Sequence, residues 1–259
     1  MQIVQFFRFK KTLIFLCITI VAIALLWNNI LVRNKPSETY NEGVIFLRNK
    51  EYKKSVDSFY KVIKYNPEYV PAYVNAGIAL TNLAEYKNAI SLFDKALKVN
   101  DSEYMIFLNK GIALNKMKKH KESILVFEQG IKLNNKEPYL FNNKGAALGE
   151  INKHEEAIES YNQAIQLKPN YYEPHKNKFC PLYNLKRYQE ALETCNRAIE
   201  LEPDKANIYE VYTNRAMALN KLERYEEALE DAEVALRLVP NYEMALKAKE
   251  VAKRHLELD

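Results

Sequence analysis

Four glycines constrain this chain more than any other feature. Gly43, Gly77, Gly111 and Gly145 follow one another at intervals of 34 residues. A 34-residue period made of two amphipathic halves marks stacked helix–turn–helix hairpins. The central copy runs from Tyr104 to Glu137. Its first half carries Gly111, Ala113 and Leu114, the chain breaks at Lys118-Lys119-His120, and the second half carries Ser123, Ile124, Phe127, Ile131 and Leu133. Only six glycines in 259 residues, with 48% of residues apolar, fit a helical core better than a loop-rich β fold.

With the glycine as position eight, six repeats span 36–69, 70–103, 104–137, 138–171, 172–205 and 209–242, and Ala206-Asn207-Ile208 is inserted before the last. Position eight holds Gly43, Gly77, Gly111, Gly145, Phe179 and Ala216. Position twenty holds Ser55, Ala89, Ser123, Ala157, Ala191 and Ala228, and position twenty-seven holds Val62, Ala96, Gly130, Ala164, Ala198 and Ala235. Small side chains at these points let two helices approach near the lower end of the usual ~8–10 Å spacing. Phe59, Phe93, Phe127 and Tyr161 at position twenty-four supply bulk between them. Pro67, Pro169, Pro203 and Pro240 end second helices, while Asn100-Asp101 and Asn134-Asn135 make the turn in the other two repeats.

Ala76-Gly77, Tyr86, Ala89, Phe93 and Ala96, then Tyr188, Ala191, Ala198 and Pro203, then Tyr225, Ala228, Ala235 and Pro240 carry a resemblance. Over residues 36–242 the chain resembles a tetratricopeptide-repeat protein. The expected fold is all-α, a right-handed α-solenoid of helix–turn–helix repeats. Tyr242 to Leu258, with apolar Leu246, Val251 and Leu256, is expected to cap the last hairpin over 243–259.

The N-terminus has a different character. A basic tail (1–11) with Arg8, Lys10 and Lys11 precedes the uncharged stretch 12–32, and a short linker (33–37) follows. As a helix, 12–32 would reach roughly 31 Å, about the thickness of a bilayer's hydrocarbon core. The expectation is a transmembrane signal-anchor with the repeats on the extracytoplasmic side. Trp27-Asn-Asn-Ile-Leu-Val-Arg33 offers no small-x-small cleavage site, and cleavage would instead give a secreted protein.

Nothing in the sequence supplies a catalytic set. There is no H-E-x-x-H, G-x-S-x-G or phosphate-cradling glycine loop. His120 and His154 fall at position seventeen and His175 at position four, places that hold aromatic residues in other repeats. No enzyme, cofactor or metal site is expected, nor a small-molecule substrate. Cys180 and Cys195 share a hairpin as free thiols or as a disulfide. Lys116, Lys118, Lys119 and Lys121 read as a solvated turn rather than a nucleic-acid site. Repeat three carries seven Lys and Arg against three Asp and Glu, and repeat six four against seven. That asymmetry fits a partner of mixed charge better than a polyanion.

Position six holds Asn41, Asn75, Asn109, Asn143, Asn177 and Asn214. The resemblance implies that first helices line a concave groove, where such amides could pair with the backbone of an extended peptide. The alternative is that they bridge neighbouring helices. Val74, Ile78, Met105, Leu108 and Ile112 are expected as apolar groove walls. A carboxylate clamp of the cochaperone type would need lysine at Tyr40 and asparagine at Val44, or asparagine at Cys180 if begun at Lys176. Pro181 inside the first helix of repeat five should kink it, because the carbonyl of Asn177 loses its donor. The expected function is a membrane-tethered scaffold that binds a protein or peptide segment. The alternative is an accessory assembly subunit of a membrane, secretion or envelope-biogenesis complex.

Overall fold

The computed structural model describes residues 36–201 and 206–257. The basic tail, the expected membrane anchor, linker residues 33–35, Pro203 and Leu258 lie outside the described residues. Among the described residues no helix is long and apolar enough to cross a membrane. All regular elements among them are helices, and they fall into two compact units that divide after Asn100.

The first unit holds repeats one and two: α1 (residues 36–48), α2 (Tyr52–Tyr65), α3 (Val70–Asn82) and α4 (Tyr86–Val99). The glycine pattern explains its hairpins. A Cβ built on Gly43 would lie 2.8 Å from the Phe59 ring, and one on Gly77 2.6 Å from the Phe93 ring. Both rings are fully buried, so the second helix presses its aromatic onto bare backbone of the first. Ser55 adds a polar tie, its Oγ donating to the carbonyl of Gly43 at 2.9 Å.

The second unit holds repeats three to six. Its helices are α5 (Tyr104–Lys116), α6 (His120–Leu133), α7 (Pro138–Glu150), α8 (His154–Leu167), α9 (Tyr172–Asn177), α10 (Phe179–Asn184), α11 (Tyr188–Leu201), α12 (Ile208–Lys221), α13 (Tyr225–Leu238) and α14 (Glu243–Leu256). Gly111 meets Phe127 at 2.4 Å and Gly145 meets Tyr161 at 2.8 Å by the same measure. Gly130 does the equivalent work between repeats. Its Cβ would sit 2.8 Å from Leu140 and 3.2 Å from Phe107, so its absence lets α7 settle on α6.

Every turn inside a hairpin uses one left-handed residue without using glycine. Lys50, Ala84, Lys118, Asn152, Lys186 and Glu223 have φ between 59° and 62°. The amide after each reaches back to the first helix: Lys119 N–H to Leu114, Lys153 to Leu148 and Arg187 to Leu182, at 2.9–3.0 Å. This is the Schellman closure, which satisfies the orphan carbonyls at a helix end.

Repeat five departs from its neighbours as its proline requires. Its first helix is two short segments, α9 and α10, separated at Lys178. Pro181 has no N–H to give the Asn177 carbonyl, so the ladder is interrupted there. Phe179 and Cys195 are 2% and 1% exposed in one core cluster. The thiols are not bonded: Cys195 is buried and Cys180 exposed. Repeat six sets alanines at both positions, Ala216 and Ala232. Beside them Arg215 grips Asp231 through two bonds of 2.6 Å, with Asp231 4% exposed.

The terminal helix packs differently from expectation. Leu246 and Val251 are 46% and 41% exposed, while Ala245, Ala248 and Ala252 are buried. Counting from Glu243, Ala245 and Ala252 occupy positions three and ten, the pair held by Ile106 and Ala113 in α5 and by Leu140 and Ala147 in α7. So α14 seats itself as one more first helix. At positions eight and eleven, where a second helix would press on glycine and leucine, it carries Glu250 and Lys253.

Candidate functional site

In the first unit Asn75 donates its amide to the Tyr40 hydroxyl at 2.8 Å, which bridges α3 to α1. Asn41 is exposed. In the second unit Asn109 and Asn143 donate to the Met105 and Tyr139 carbonyls one turn back, each at 2.8 Å. Their amide nitrogens are thereby engaged within their own helices. Asn177 leans toward Asn142 of α7, with Nδ2 3.4 Å from Oδ1. The six amides thus divide by role, and Asn177 and Asn214 line one cavity in the second unit.

That cavity, roughly 430 Å³, lies along α7, α9, α10 and α12. Stepping along a helix from position six by three or four residues reaches positions two, nine and thirteen on the same face. Those positions supply Glu210, Ala146, Cys180, Glu150 and Asn184 to the lining. Gly149 opens the wall, for a Cβ built there meets nothing within 4 Å. Lys176 spans to Glu210 at 3.0 Å, so its charge is already answered. Among the described lining residues that leaves no free ammonium of the kind a carboxylate clamp uses.

Two groups at the rim have incomplete surroundings. His154 Nδ1 is buried and has no hydrogen-bond partner among the described residues. Cys180 is exposed as a residue, but its thiol is partly desolvated at the wall and faces the Glu150 charge, in that order of effect, with the Lys176 ammonium opposing them. Desolvation and Glu150 prevail and raise its pKa, so it is a neutral thiol at neutral pH. The arrangement offers amides, a neutral thiol and a charge-balanced wall to a ligand. Among the described residues there is no group of three or more His, Cys, Asp or Glu side chains placed to hold a metal.

The apolar walls expected further up divide as well. Val74 and Leu108 are 8% and 6% exposed. Leu108 is closed into a cluster with Phe127, Leu140 and Ala147, against which Ile112 packs. These two therefore serve the core and offer little surface to a ligand. Ile78 and Ile112 are half-buried and Met105 is exposed. Glu150, Asn184, Glu210 and Gly149 were not singled out from sequence. Helical spacing from the asparagine position was the signal that could have found Glu150, Asn184 and Glu210, whereas Gly149, at position twelve, lies off that spacing.

Profiles described as tetratricopeptide repeat match residues 70–103, 106–137, 138–171 and 182–243. Together they cover more than half of the chain, which belongs to the tetratricopeptide-repeat family. No curated protein matches it in sequence. Among solved structures it is similar to YrrB, described as a TPR protein with an unusual peptide-binding site. The two share 25% identity over 75% of this chain and 99% of that one, with a TM-score of 0.60. It also shares its fold with PilW, a type IV pilus biogenesis factor, at 14% identity over 82% of this chain and 97% of that one, TM-score 0.73. Pseudomonas aeruginosa pilF shares the fold at 16% identity over 83% of this chain and 96% of that one, TM-score 0.72. As a member of this family the chain is a protein-interaction scaffold.

Proposed function

We propose that the scaffold holds an extended segment of a partner protein across the first-helix face of its second unit, and that residues 12–32 tether it to a membrane. The observation that carries the reading is the open cavity shared by Asn177 and Asn214, amides from consecutive repeats. Amides present donors and an acceptor, so they can recognise a peptide backbone without demanding one side chain. The peptide-binding site named for YrrB supports the same class of ligand. The tether rests on the length and apolarity of the 12–32 stretch, and no catalytic role is proposed.

Gly149 gives a direct test. Its missing Cβ faces open space, so Gly149→Trp fills the cavity without displacing the core. Full-length chain is passed over an array of extended synthetic peptides and binding is measured by fluorescence anisotropy. Gly149→Trp and the Asn177→Ala, Asn214→Ala pair should each weaken binding by roughly tenfold or more with no loss of melting temperature. Unchanged affinity in both variants overturns the groove.

A second reading, an accessory subunit of an envelope-biogenesis complex, has in its favour the shared fold of PilW and pilF. Recovery of the full chain in one stoichiometric membrane complex would favour it over a general peptide binder.

A further inference from the structure

The start of the first unit leaves open an edge that other repeats close. In repeat three Tyr104, at position one, donates its hydroxyl to Glu137 at 3.0 Å. In repeat six Tyr209 stands edge-on to Tyr242 at 4.9 Å, and in repeat four Tyr139 stands the same way to Tyr171 at 5.0 Å. Each contact joins the start of a first helix to position thirty-four. Repeat one begins with Pro36 and Ser37, which have no ring to place there. A cavity of roughly 270 Å³ remains, and those two residues line it together with Tyr40, Tyr65, Asn66 and Tyr69.

The walls select a cation. Tyr40 and Tyr69 stand edge-on at 5.2 Å, and Tyr65 is 56% exposed. Among the described residues no charged side chain lines the cavity. Tyrosine faces are negative and attract a cation held within about 6 Å of the ring centre. Repeat four has the completed arrangement. Lys168, at position thirty-one, lies 5.1 and 5.2 Å from the Tyr139 and Tyr171 ring centres and donates to the Tyr139 hydroxyl at 3.1 Å. Repeat one carries Asn66 at that position, where its Oδ1 accepts from the Glu68 amide at 3.1 Å. The tyrosine pair recurs and its lysine does not.

The chain itself delivers a substitute. Arg33 lies three residues before Pro36, so its Cα is within about 11 Å of the cavity mouth. So short a connection gives an effective concentration on the order of millimolar, ahead of any free cationic peptide in dilute solution. A flat guanidinium is also weakly hydrated and stacks well on rings. We propose that Arg33 seats among Tyr40, Tyr65 and Tyr69 and docks the segment that follows residues 12–32 onto the first unit. The inference goes beyond the groove reading. Where the tether reading also holds, the join between membrane and first unit becomes a fixed one.

Trypsin reads the seat directly, because Arg33-Asn34 is a cleavable bond whereas Lys35-Pro36 resists. Full-length chain mixed with liposomes is digested briefly, and the 34–259 fragment is followed by mass. Tyr65→Ala should speed that cleavage roughly threefold or more. Tyr60→Ala, at another exposed tyrosine of α2 outside the lining, should leave the rate unchanged. Tyr65→Leu, which keeps bulk and removes the ring, serves if Tyr65→Ala perturbs folding. In melting curves Arg33→Gln should lower the midpoint of the unsubstituted chain and have no effect in the Tyr65→Ala background.

Equal cleavage rates with and without Tyr65, or coupling of Tyr65→Ala to Lys35→Gln in place of Arg33→Gln, overturn the assignment. Flotation with the liposomes keeps seat and tether apart. A chain that floats without the coupling loses only the seat. A chain that couples without floating keeps the seat and loses the tether.

Discussion

Repeats one to four and repeat five fill the same interior space from opposite sides. In the first four the first helix contributes only glycine backbone and the second contributes a ring, Phe59, Phe93, Phe127 or Tyr161. In repeat five the ring moves to the first helix as Phe179, and the second helix retreats to Cys195. What repeats one to five share is one ring between two facing positions, and either helix can supply it. Repeat six, with Ala216 and Ala232 there, is the exception and sets the Arg215–Asp231 pair beside them.

The largest expected effect breaks that comparison at its irregular end. Phe179→Ala should cost about 3–5 kcal/mol in a urea unfolding series, since it empties a site 2% exposed. Combining Phe179→Gly with Cys195→Phe restores the arrangement of the other repeats. If either helix can supply the ring, the double variant is more stable than either single one, a coupling expected of contacting residues. A double variant no better than Phe179→Gly alone would break the comparison.

At the regular end, Gly111→Ala should cost about 1–3 kcal/mol through overpacking. Its methyl would arrive 2.4 Å from a ring that has no exposed surface to retreat into. Phe127→Leu in the same chain should return part of the loss. Equal costs with and without Phe127→Leu would show that something other than the ring sets the limit.

A smaller effect sharpens the comparison at position four. His175 stands there where Tyr73, Phe107, Phe141 and Tyr212 stand in other repeats, and it is buried with Nε2 3.1 Å from the Pro169 carbonyl. Desolvation is the main effect on its pKa and lowers it from the ordinary 6.5, and Arg197 and Lys178 add to the shift, against the Pro169 bond. The folded state therefore binds a proton less readily than the unfolded chain. Stability is undiminished above about pH 6.5 and is lost as pH falls from there through the folded value. His175→Phe should flatten that part of the curve of melting temperature against pH. An unaltered slope would assign the acid sensitivity elsewhere.

The glycine–ring layers and the break near Pro181 were legible because each follows from local spacing or from a missing N–H. Other features were not, for identifiable reasons. The left-handed turn residues gave no signal, since Lys118, Asn152 and Glu223 adopt φ near 60° without glycine. Apolarity points to Leu246, Val251 and Leu256 as the capping residues, but close helix approach selects Ala245, Ala248 and Ala252, and of the apolar three only Leu256 is even half-buried. The asparagines share one position and still differ in role, because position four residues earlier offers a carbonyl to Asn109 while a neighbouring helix offers Asn142 to Asn177. Side-chain partners of this kind are set by the adjacent repeat and not by the period.

The smallest expected effect separates two glycines that look alike in sequence. Gly111 and Gly149 both lie inside first helices, yet a Cβ on Gly149 touches nothing within 4 Å. Helix propensity then acts alone, and Gly149→Ala should raise stability by about 0.5–1 kcal/mol. The core gains nothing from a glycine there, whereas in the proposed groove a partner's main chain would gain close access to the helix backbone at the cavity wall. The substitution should therefore stabilise the chain while weakening its hold on extended peptides. Stabilisation with undiminished binding would mean that the segment passes Gly149 at a distance, and would move the contact toward the Asn177 and Asn214 side of the cavity.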